Sequence, residues 1–220
     1  IRIGILTIRE KWEKYLGEKT STITEDYLSV KYPTLQGEEM MLINGSICPT
    51  LKLVEAIKGL KIGQALVRGN HVLAMYKTKE QFLSEEDSTE EIEVNEDFIK
   101  ITNAWDVFVF NDKALREDFK LLTEGRKSAP LSDTNRVVGE ENIFVEEGAE
   151  VEFSILNAKE GPIYIGKDAQ IMEGSVVRGP FAMCEHSVLK LSSKIYGATT
   201  LGPYVKVGGE VSNVVIFGYS

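Results

Sequence analysis

The sequence predicts two kinds of structure in one chain, an α/β region followed by an all-β region wound as a parallel β-helix. An aliphatic residue recurs at every sixth position from Ile165 to Val207, a period that neither an α-helix nor an ordinary β-strand has. Glycine and proline fall in step with this register, as regularly spaced corners require. In the first 125 residues, helical and strand patterns alternate instead, which is typical of an α/β fold.

Composition narrows the functional classes. The chain has 220 residues, of which 43% are hydrophobic and 27% charged, so we expect two globular domains and no membrane partner. A net charge of −9 argues against nucleic acid as the main partner. Cys48 and Cys184 show no metal-ligand spacing and are interpreted as reduced core thiols of a cytoplasmic protein. We expect no secretory signal and assign no metal ligand.

The first 33 residues predict two helices. Apolar residues between Ile5 and Leu16 lie on one side of a helical wheel, and Gly17 is a natural stop, although a strand is the competing interpretation for the first few residues. The segment Thr24–Asp26 resembles a helix cap, and Pro33 closes the short helix that follows.

The segment from residue 39 to residue 58 predicts a buried strand, a loop and a helix. The strand ends at Asn44, and Thr50 caps a helix over Leu51–Lys58. A loop between a strand and a helix is where α/β folds bind phosphates. The loop lacks the lysine and the second glycine of a P-loop. Asn44 and Ser46 are therefore candidate substrate-binding residues, and an ordinary turn is the alternative.

A hairpin and an acidic run follow. The strands Gln64–Val67 and Val72–Tyr76 flank a tight turn, at which His71 is expected to face solvent. Eight acidic residues lie between Glu85 and Asp97. Such a run could hold a divalent cation, but we predict a solvated loop or strand edge.

Residues 105–136 predict a pair of helices and a linker. Spaced apolar residues from Trp105 to Leu122 indicate two helices with a break near Asn111 and an end at Gly125. The polar segment 126–136 is interpreted as the linker. The predicted organisation is thus an α/β domain over 1–125, a linker over 126–136 and a β-helix over 137–220.

The six-residue period predicts short flat strands joined by corners, three of which complete one triangular coil. The inward aliphatic residues are Ile165, Ile171, Val177, Met183, Leu189, Ile195, Leu201 and Val207. The residues four places after each are mostly small or β-branched: Ala169, Ser175, Phe181, Ser187, Ser193, Thr199, Val205 and Val211.

Three irregularities are expected in this repeat. Phe181 is large for a small position, so we expect a widening or a bulge there. Residues Leu156–Pro162 add two positions, which indicates a loop at one corner. Apolar residues still run from Val214 to Phe217 at the end of the sequence, so we expect an incomplete last coil and further chain beyond both ends.

The β-helix region resembles the left-handed hexapeptide-repeat acyltransferases. With the upstream α/β region, the chain resembles sugar-1-phosphate nucleotidyltransferases that carry such a β-helix, above all a Bacteroidetes-type branch of the bifunctional family that makes UDP-N-acetylglucosamine. The resemblance is carried by RGPFAMCEH (178–186), KIYGATT (194–200), VGGEVSN (207–213) and IFGYS (216–220), and more loosely by IGILTIREKW (3–12) and WDVFVFN (105–111).

The resemblance implies nucleotidyl transfer from a nucleoside triphosphate to a sugar-1-phosphate, acetyl transfer from acetyl-CoA, Mg²⁺ as a cofactor, a homotrimer and a cytoplasmic role in cell-envelope precursor synthesis. The phosphate-binding loop of this family would precede Ile1, and the general-base histidine would follow Ser220. Asn44 and Ser46 stand where the family has a metal-binding aspartate. The catalytic residues are therefore expected outside residues 1–220.

On the β-helix, the candidate substrate-binding residues are Arg178 and Lys190, corner-adjacent cations that could meet a phosphate, and His186, the only histidine in this region. A solvated surface role is the alternative for each. The family also has an arginine shortly after GPFA, where Met183, Cys184 and Glu185 stand here.

Two other functions remain open at this point. One is thymidylyl transfer to glucose-1-phosphate. The other is a degenerate, non-catalytic protein of assembly or regulation.

Overall fold

The computed structural model describes residues 1–35, 37–84 and 89–220. The chain forms two compact units, one made of Ile8–Ile101 and one made of Ile1–Thr7 together with Thr102–Ser220. We call them the α/β unit and the β-helix unit. Residues 102–125 belong to the β-helix unit because they pack there, although they precede the limit predicted at residue 125.

The α/β unit contains one four-stranded sheet and four helices within its described residues. The elements are α1 (Ile8–Leu16), α2 (Asp26–Ser29), β1 (Glu39–Ile43), α3 (Leu51–Lys58), β2 (Gln64–Arg68), β3 (His71–Thr78), α4 (Lys79–Leu83) and β4 (Glu90–Glu93). The strand order is β1-β3-β2-β4, and only the pair β2/β4 is parallel. The predicted hairpin is confirmed, and His71 is exposed.

Two predicted helix signals in this unit are confirmed, whereas the cap predicted at Thr24–Asp26 is not, because Glu25 precedes α2 and makes no side-chain capping hydrogen bond. The Thr50 hydroxyl accepts a hydrogen bond from the Leu53 N–H at 3.1 Å, which caps α3. Gly17 follows α1 with φ +77°, and its N–H donates to the Glu13 carbonyl at 3.0 Å. Trp12 is 4% exposed, and its indole N–H donates to the Ile47 carbonyl at 2.8 Å, so α1 packs into the core of the unit.

Strand β1 is not the buried strand that its apolar sequence predicts. Glu39 is exposed and the other four residues are half-buried. The reason is position: β1 lies at an edge of the sheet and pairs only with β3. Hydrophobicity alone does not distinguish an edge strand from a central one.

The acidic run falls partly on residues that are not described. Glu85, Glu86 and Asp87 lie outside the described residues. Glu90–Glu93 form β4, an exposed strand at the edge of the sheet, and this part agrees with the predicted strand edge.

The second segment of the β-helix unit, Thr102–Ser220, begins with two helices, α5 (Asp106–Val109) and α6 (Asn111–Thr123), which confirms the predicted pair and its break. Fourteen short strands follow, in the order β5 (Arg136–Val138), β6 (Ile143–Val145), β7 (Glu150–Val151), β8 (Ile155–Asn157), β9 (Ile163–Ile165), β10 (Gln170–Ile171), β11 (Val176–Arg178), β12 (Phe181–Met183), β13 (Val188–Leu189), β14 (Lys194–Tyr196), β15 (Thr199–Leu201), β16 (Lys206–Val207), β17 (Glu210–Ser212) and β18 (Val215–Ile216).

These strands build a left-handed parallel β-helix with three faces. Face 1 is β5, β8, β11, β14 and β17; face 2 is β6, β9, β12, β15 and β18; face 3 is β7, β10, β13 and β16. Four coils are complete, and β17 and β18 begin a fifth. The predicted interior is confirmed, because Ile165, Met183 and Leu201 stack in register and are each 0% exposed.

The three expected irregularities have different outcomes. Five residues, 158–162, form the corner between β8 and β9, so the predicted loop is confirmed, whereas two residues form the same corner in the next coil. The bulge expected at Phe181 is absent: β12 keeps continuous register with β9 and β15, and Phe181 is fully buried between Ile163 and the smaller Thr199. The large side chain of Phe181 is offset by the smaller Thr199 in the adjacent coil.

The last coil departs from the predicted register. Val211 pairs with Ile195, a spacing of sixteen residues, whereas Ile195 pairs with Val177 at a spacing of eighteen. Val211 therefore continues an aliphatic column instead of occupying a small position. Gly208 and Gly209 form the shortened corner, and Gly209 has φ +90°.

Face 2 differs from the other two faces because both of its sides are buried. Every residue of β6, β9, β12 and β15 is buried, whereas β8, β11 and β14 each bury only their middle residue. The outward residues of face 2 pack with Ile5, Leu115 and Leu122. Helix α6 and residues 1–7 thus cover this face.

Candidate functional site

The turn after β1 is held together by its own side chains. The Asn44 amide oxygen accepts hydrogen bonds from the Ser46 N–H at 3.0 Å and from the Ser46 hydroxyl at 2.7 Å. The Asn44 amide nitrogen donates to the Val72 carbonyl at 3.1 Å, which ties the turn to β3. The polar groups of both candidates are therefore engaged in building the turn.

This turn does not fit Mg²⁺. Magnesium prefers carboxylate oxygens, and Asn44 and Ser46 offer an amide and a hydroxyl that already bond to each other. Within residues 1–35, 37–84 and 89–220, no three His, Cys, Asp or Glu side chains gather in a group that could hold a metal ion. No step of the chemistry is therefore assigned to a metal at this turn.

The candidate cations of the β-helix lie on different corners. Arg178 ends β11 and pairs with Glu160 at 3.1 Å, with both side chains more than half exposed. His186 lies between β12 and β13, and Lys190 follows β13. Because the three strands of one coil lie on three different faces, these residues do not converge on one site within a chain, and they do not form a common binding site for the phosphates of acetyl-CoA.

His186 is part of a stack of side chains along one corner. Asp168, His186 and Tyr204 occupy equivalent corner positions of successive coils, each with a positive φ between 53° and 59°. The imidazole stacks on Tyr204 at 4.7 Å, and Tyr204 stacks on Tyr219 at 5.2 Å. The imidazole Nε2 lies 3.9 Å from an Asp168 oxygen. These contacts explain His186 as a member of a stabilising stack.

Asn111, a polar residue of the β-helix unit that bonds to two other segments, was not singled out from the sequence as a site. Asn111 is 0% exposed. Its amide oxygen accepts from the Gly4 N–H at 2.8 Å, and its amide nitrogen donates to the Ala198 carbonyl at 3.0 Å and the Thr200 hydroxyl at 3.2 Å. Asn111 thus joins residues 1–7 to face 2 through α6.

Asp118 completes this connection about two turns further along α6. One of its carboxylate oxygens accepts from the N–H groups of Ile5 and Leu6 at 2.8 and 2.9 Å. Gly4 has φ +70°, and a Cβ there would lie 2.6 Å from Asp118 and 2.7 Å from the Ala114 backbone. The available signal was the spacing of seven residues between Asn111 and Asp118, which puts both polar residues on the apolar side of α6.

A second polar cluster lies where α6 ends. Arg126 makes a two-pronged ion pair with Glu146 at 2.8 and 2.6 Å, and its guanidinium lies 4.9 Å from the centre of the Phe144 ring. The Tyr164 hydroxyl donates to the same carboxylate at 2.7 Å. Burial raises the pKa of Tyr164, and the hydrogen bond to Glu146 raises it further, so the phenol stays neutral. The cluster fixes the start of the segment predicted to be a linker.

The segment 126–136 is tied to the first coil. The Ala129 N–H donates to the Val145 carbonyl at 2.9 Å, and the Ser128 hydroxyl accepts from the Val145 N–H at 2.9 Å. The Asn135 amide donates to the Val151 carbonyl at 2.7 Å and accepts from the Ser154 N–H at 2.9 Å. The segment therefore covers the open edge of the first coil, as solenoids require at their ends.

The chain thus combines an α/β unit with a hexapeptide-type parallel β-helix. Residues 1–127 match the family model described as sugar nucleotidyl transferase. This match spans more than half of the chain, and the chain belongs to the sugar nucleotidyl transferase family. No curated protein matches the chain at a significant level. None of the described helices is both long and apolar enough to cross a membrane.

Proposed function

We propose that the natural full-length protein transfers a uridylyl group from UTP to N-acetylglucosamine-1-phosphate. An oxygen of the sugar phosphate attacks the α-phosphorus of UTP, the bond to the β-phosphate breaks, and pyrophosphate leaves. The observation that carries the proposal is the family match over residues 1–127. The choice of uridine and of N-acetylglucosamine rests on the sequence resemblance described above.

The β-helix adds a second reaction to the proposal, acetyl transfer from acetyl-CoA to glucosamine-1-phosphate. The sugar amine attacks the thioester carbonyl, the C–S bond breaks, and CoA leaves as the thiol while the amine loses a proton. The β-helix and the hexapeptide resemblance support this step. The proposal includes a homotrimer and a cytoplasmic location, both of which rest on the resemblance to the hexapeptide-repeat family.

Two assays on the natural full-length protein test the proposal. One measures pyrophosphate release from UTP with N-acetylglucosamine-1-phosphate, and from dTTP with glucose-1-phosphate as the comparison. The other measures CoA release from acetyl-CoA with glucosamine-1-phosphate. We expect turnover of UTP with N-acetylglucosamine-1-phosphate and of acetyl-CoA with glucosamine-1-phosphate. A preference for dTTP with glucose-1-phosphate would replace the proposed uridylyl transfer by thymidylyl transfer. The absence of turnover in all three mixtures would overturn the proposal that the protein is an enzyme.

One observation favours a second candidate, a non-catalytic protein of assembly or regulation. Asn44 and Ser46 bond to each other where the resemblance places a metal-binding aspartate. The variant Asn44→Asp restores a carboxylate that can still accept from Ser46, and Asn70→Asp at the exposed tip of the β2–β3 hairpin is its control. Pyrophosphate release that appears with Asn44→Asp alone would identify the natural chain as a degenerate member of its family.

A further inference from the structure

The turn after β1 contains the only Asn-Gly pair in the sequence, Asn44-Gly45. An asparagine before a glycine loses its side-chain amide without an enzyme when the backbone nitrogen of the glycine attacks the side-chain carbonyl carbon and closes a cyclic imide. Glycine favours this attack, because it has no Cβ to hinder the approach. The turn is therefore a candidate site of chemical modification, whether or not it binds a substrate.

The attacking nitrogen is free in this turn. The Ile47 N–H donates to the Asn44 carbonyl at 3.2 Å, which closes a four-residue turn with the exposed Gly45 at its second position. Among the residues that the structure describes, nothing accepts a hydrogen bond from the Gly45 N–H. Its nitrogen is available for attack, because no hydrogen bond has to break before the proton is lost.

The carbonyl group under attack is polarised by two donors. The Ser46 N–H and the Ser46 hydroxyl both donate to the Asn44 amide oxygen, at 3.0 and 2.7 Å. When a nitrogen adds to the side-chain carbon, negative charge develops on this same oxygen, and the two donors stabilise that charge. Ammonia has to break one exposed bond when it leaves, from the Asn44 amide nitrogen to the Val72 carbonyl at 3.1 Å.

We propose that Asn44 deamidates spontaneously in the folded protein, with Gly45 as the nucleophile and Ser46 as the donor to the developing charge. The Gly45 nitrogen gives its proton to water or hydroxide and bonds to Asn44 Cγ, the Cγ–Nδ2 bond breaks, and ammonia leaves. Water then opens the imide: attack at Cγ gives aspartate, and attack at the backbone carbonyl carbon gives isoaspartate. The net reaction consumes water and releases ammonia, with no change in oxidation state.

Both products change the turn. The aspartate still accepts from Ser46, but it has no N–H for the Val72 carbonyl, so the bond between the turn and β3 is lost. The isoaspartate adds one carbon to the main chain shortly before Ile47, whose carbonyl accepts from the Trp12 indole at 2.8 Å. Either product also adds a negative charge. The modification is therefore expected to loosen the α/β unit around this turn.

The test follows each asparagine of the natural full-length protein during incubation of the folded protein at mildly alkaline pH. Peptide mass spectrometry measures the loss of amide, and isoaspartyl methyltransferase labels the isoaspartate product. Asn44 is expected to convert about tenfold faster than the exposed Asn70, because Asn70 precedes a histidine, which has a Cβ.

Two variants test the two roles in the turn. Gly45→Ala is expected to slow the conversion about tenfold, and it should fold, because a Cβ at Gly45 meets no atom within 4 Å and φ is not positive. Ser46→Ala removes the hydroxyl donor and is expected to slow the conversion several-fold. Ser29→Ala, at an exposed position of α2, is the matched control and is expected to leave the rate unchanged.

Circular dichroism and thermal unfolding establish that the three variants fold. Conversion at Asn44 no faster than at Asn70 would overturn the proposal, and so would an unchanged rate in Gly45→Ala. An unchanged or faster rate in Ser46→Ala would overturn the role given to the hydroxyl. The measurement needs no substrate, so failure of this proposal and failure of the proposed nucleotidyl transfer are distinguishable.

Discussion

The inner and outer sides of face 2 are buried by different means. On the inner side, Ile165, Met183 and Leu201 bury one another by stacking between successive coils. On the outer side, Tyr164 and Ala182 are covered by α6 and by residues 1–7, which come from the other end of the sequence. The inner side is thus buried by the repeat itself, whereas the outer side depends on segments that are distant in the sequence.

This difference separates what a period can encode from what it cannot. The inner side needs only the same kind of residue every six positions, so the sequence pattern that specifies it is local and repeated. The outer side needs one helix and one segment to arrive with Asn111 and Asp118 in place. A single substitution is therefore expected to act differently on the two sides, and four measurements compare them.

The largest effect is expected in an inner column. Leu189→Ala removes a fully buried side chain between Ile171 and Val207, and the cavity is expected to lower the free energy of unfolding by about 3 kcal/mol. Denaturant unfolding measures this loss. Leu191→Ala is the matched control, since Leu191 is 62% exposed. Equal losses in the two variants would contradict the stacked interior.

The next effect is expected from the connection to the outer side. Asn111→Ala leaves the Gly4 N–H and the Ala198 carbonyl without their partner, which is expected to cost about 2 kcal/mol. Hydrogen exchange of residues 1–7 should increase more than exchange of the inner strands. Asn142→Ala, at an exposed position, is the control. A uniform increase across the β-helix would mean that the two sides are one cooperative layer.

A smaller effect is expected at the small positions of the repeat. The Ser187 hydroxyl donates to the Cys184 carbonyl at 2.6 Å inside the corner, so Ser187→Ala is expected to cost about 1 kcal/mol. Ser187→Leu is expected to cost more because the position is 0% exposed and has no room for the added atoms. Thermal unfolding of both variants tests the order, and a more stable leucine variant would refute it.

The smallest effect at neutral pH is expected for Tyr164→Phe, which removes one hydrogen bond to Glu146 at a cost of under about 1 kcal/mol. The Tyr164→Phe variant also tests how the free energy of unfolding depends on pH. Burial and that bond raise the pKa of Tyr164, whereas the unfolded chain releases the proton at about pH 10. Stability is therefore complete below about pH 10 and falls as the pH rises further. The variant should lose this alkaline component, whereas Leu189→Ala should retain it.

The sequence predicted the inner side of the fold well. The period of six identified Ile165 and its successors as the interior, and the Thr50 cap and the β2–β3 hairpin were also found, because each depends on neighbours in sequence. The shortened corner before Val211 was missed. Because Val207 and Val211 are both aliphatic, the sequence is compatible with the six-residue period and also with the shorter spacing that the structure has.

The candidate site was predicted less well. Asn44 and Ser46 were identified by position, but whether a polar side chain faces a ligand or its own turn depends on hydrogen bonds that the sequence does not display. The contacts of Asn111 and the ion pair of Arg126 join residues from 20 to more than 80 positions apart, and no local sequence pattern indicates such pairs. The segment 126–136 looked like a linker because its anchoring residues are polar and bond mainly to backbone atoms of the first coil.

The α/β unit interrupts the β-helix unit in the covalent chain, between Thr7 and Thr102. During synthesis the interrupted ends emerge far apart in time, because Gly4 bonds to a residue 107 positions later. The α/β unit can fold while the ribosome is still producing the coils, and residues 1–7 must wait for α6 before their N–H groups are bonded. The N–H groups of Gly4, Ile5 and Leu6 therefore lack these partners until α6 has been synthesised.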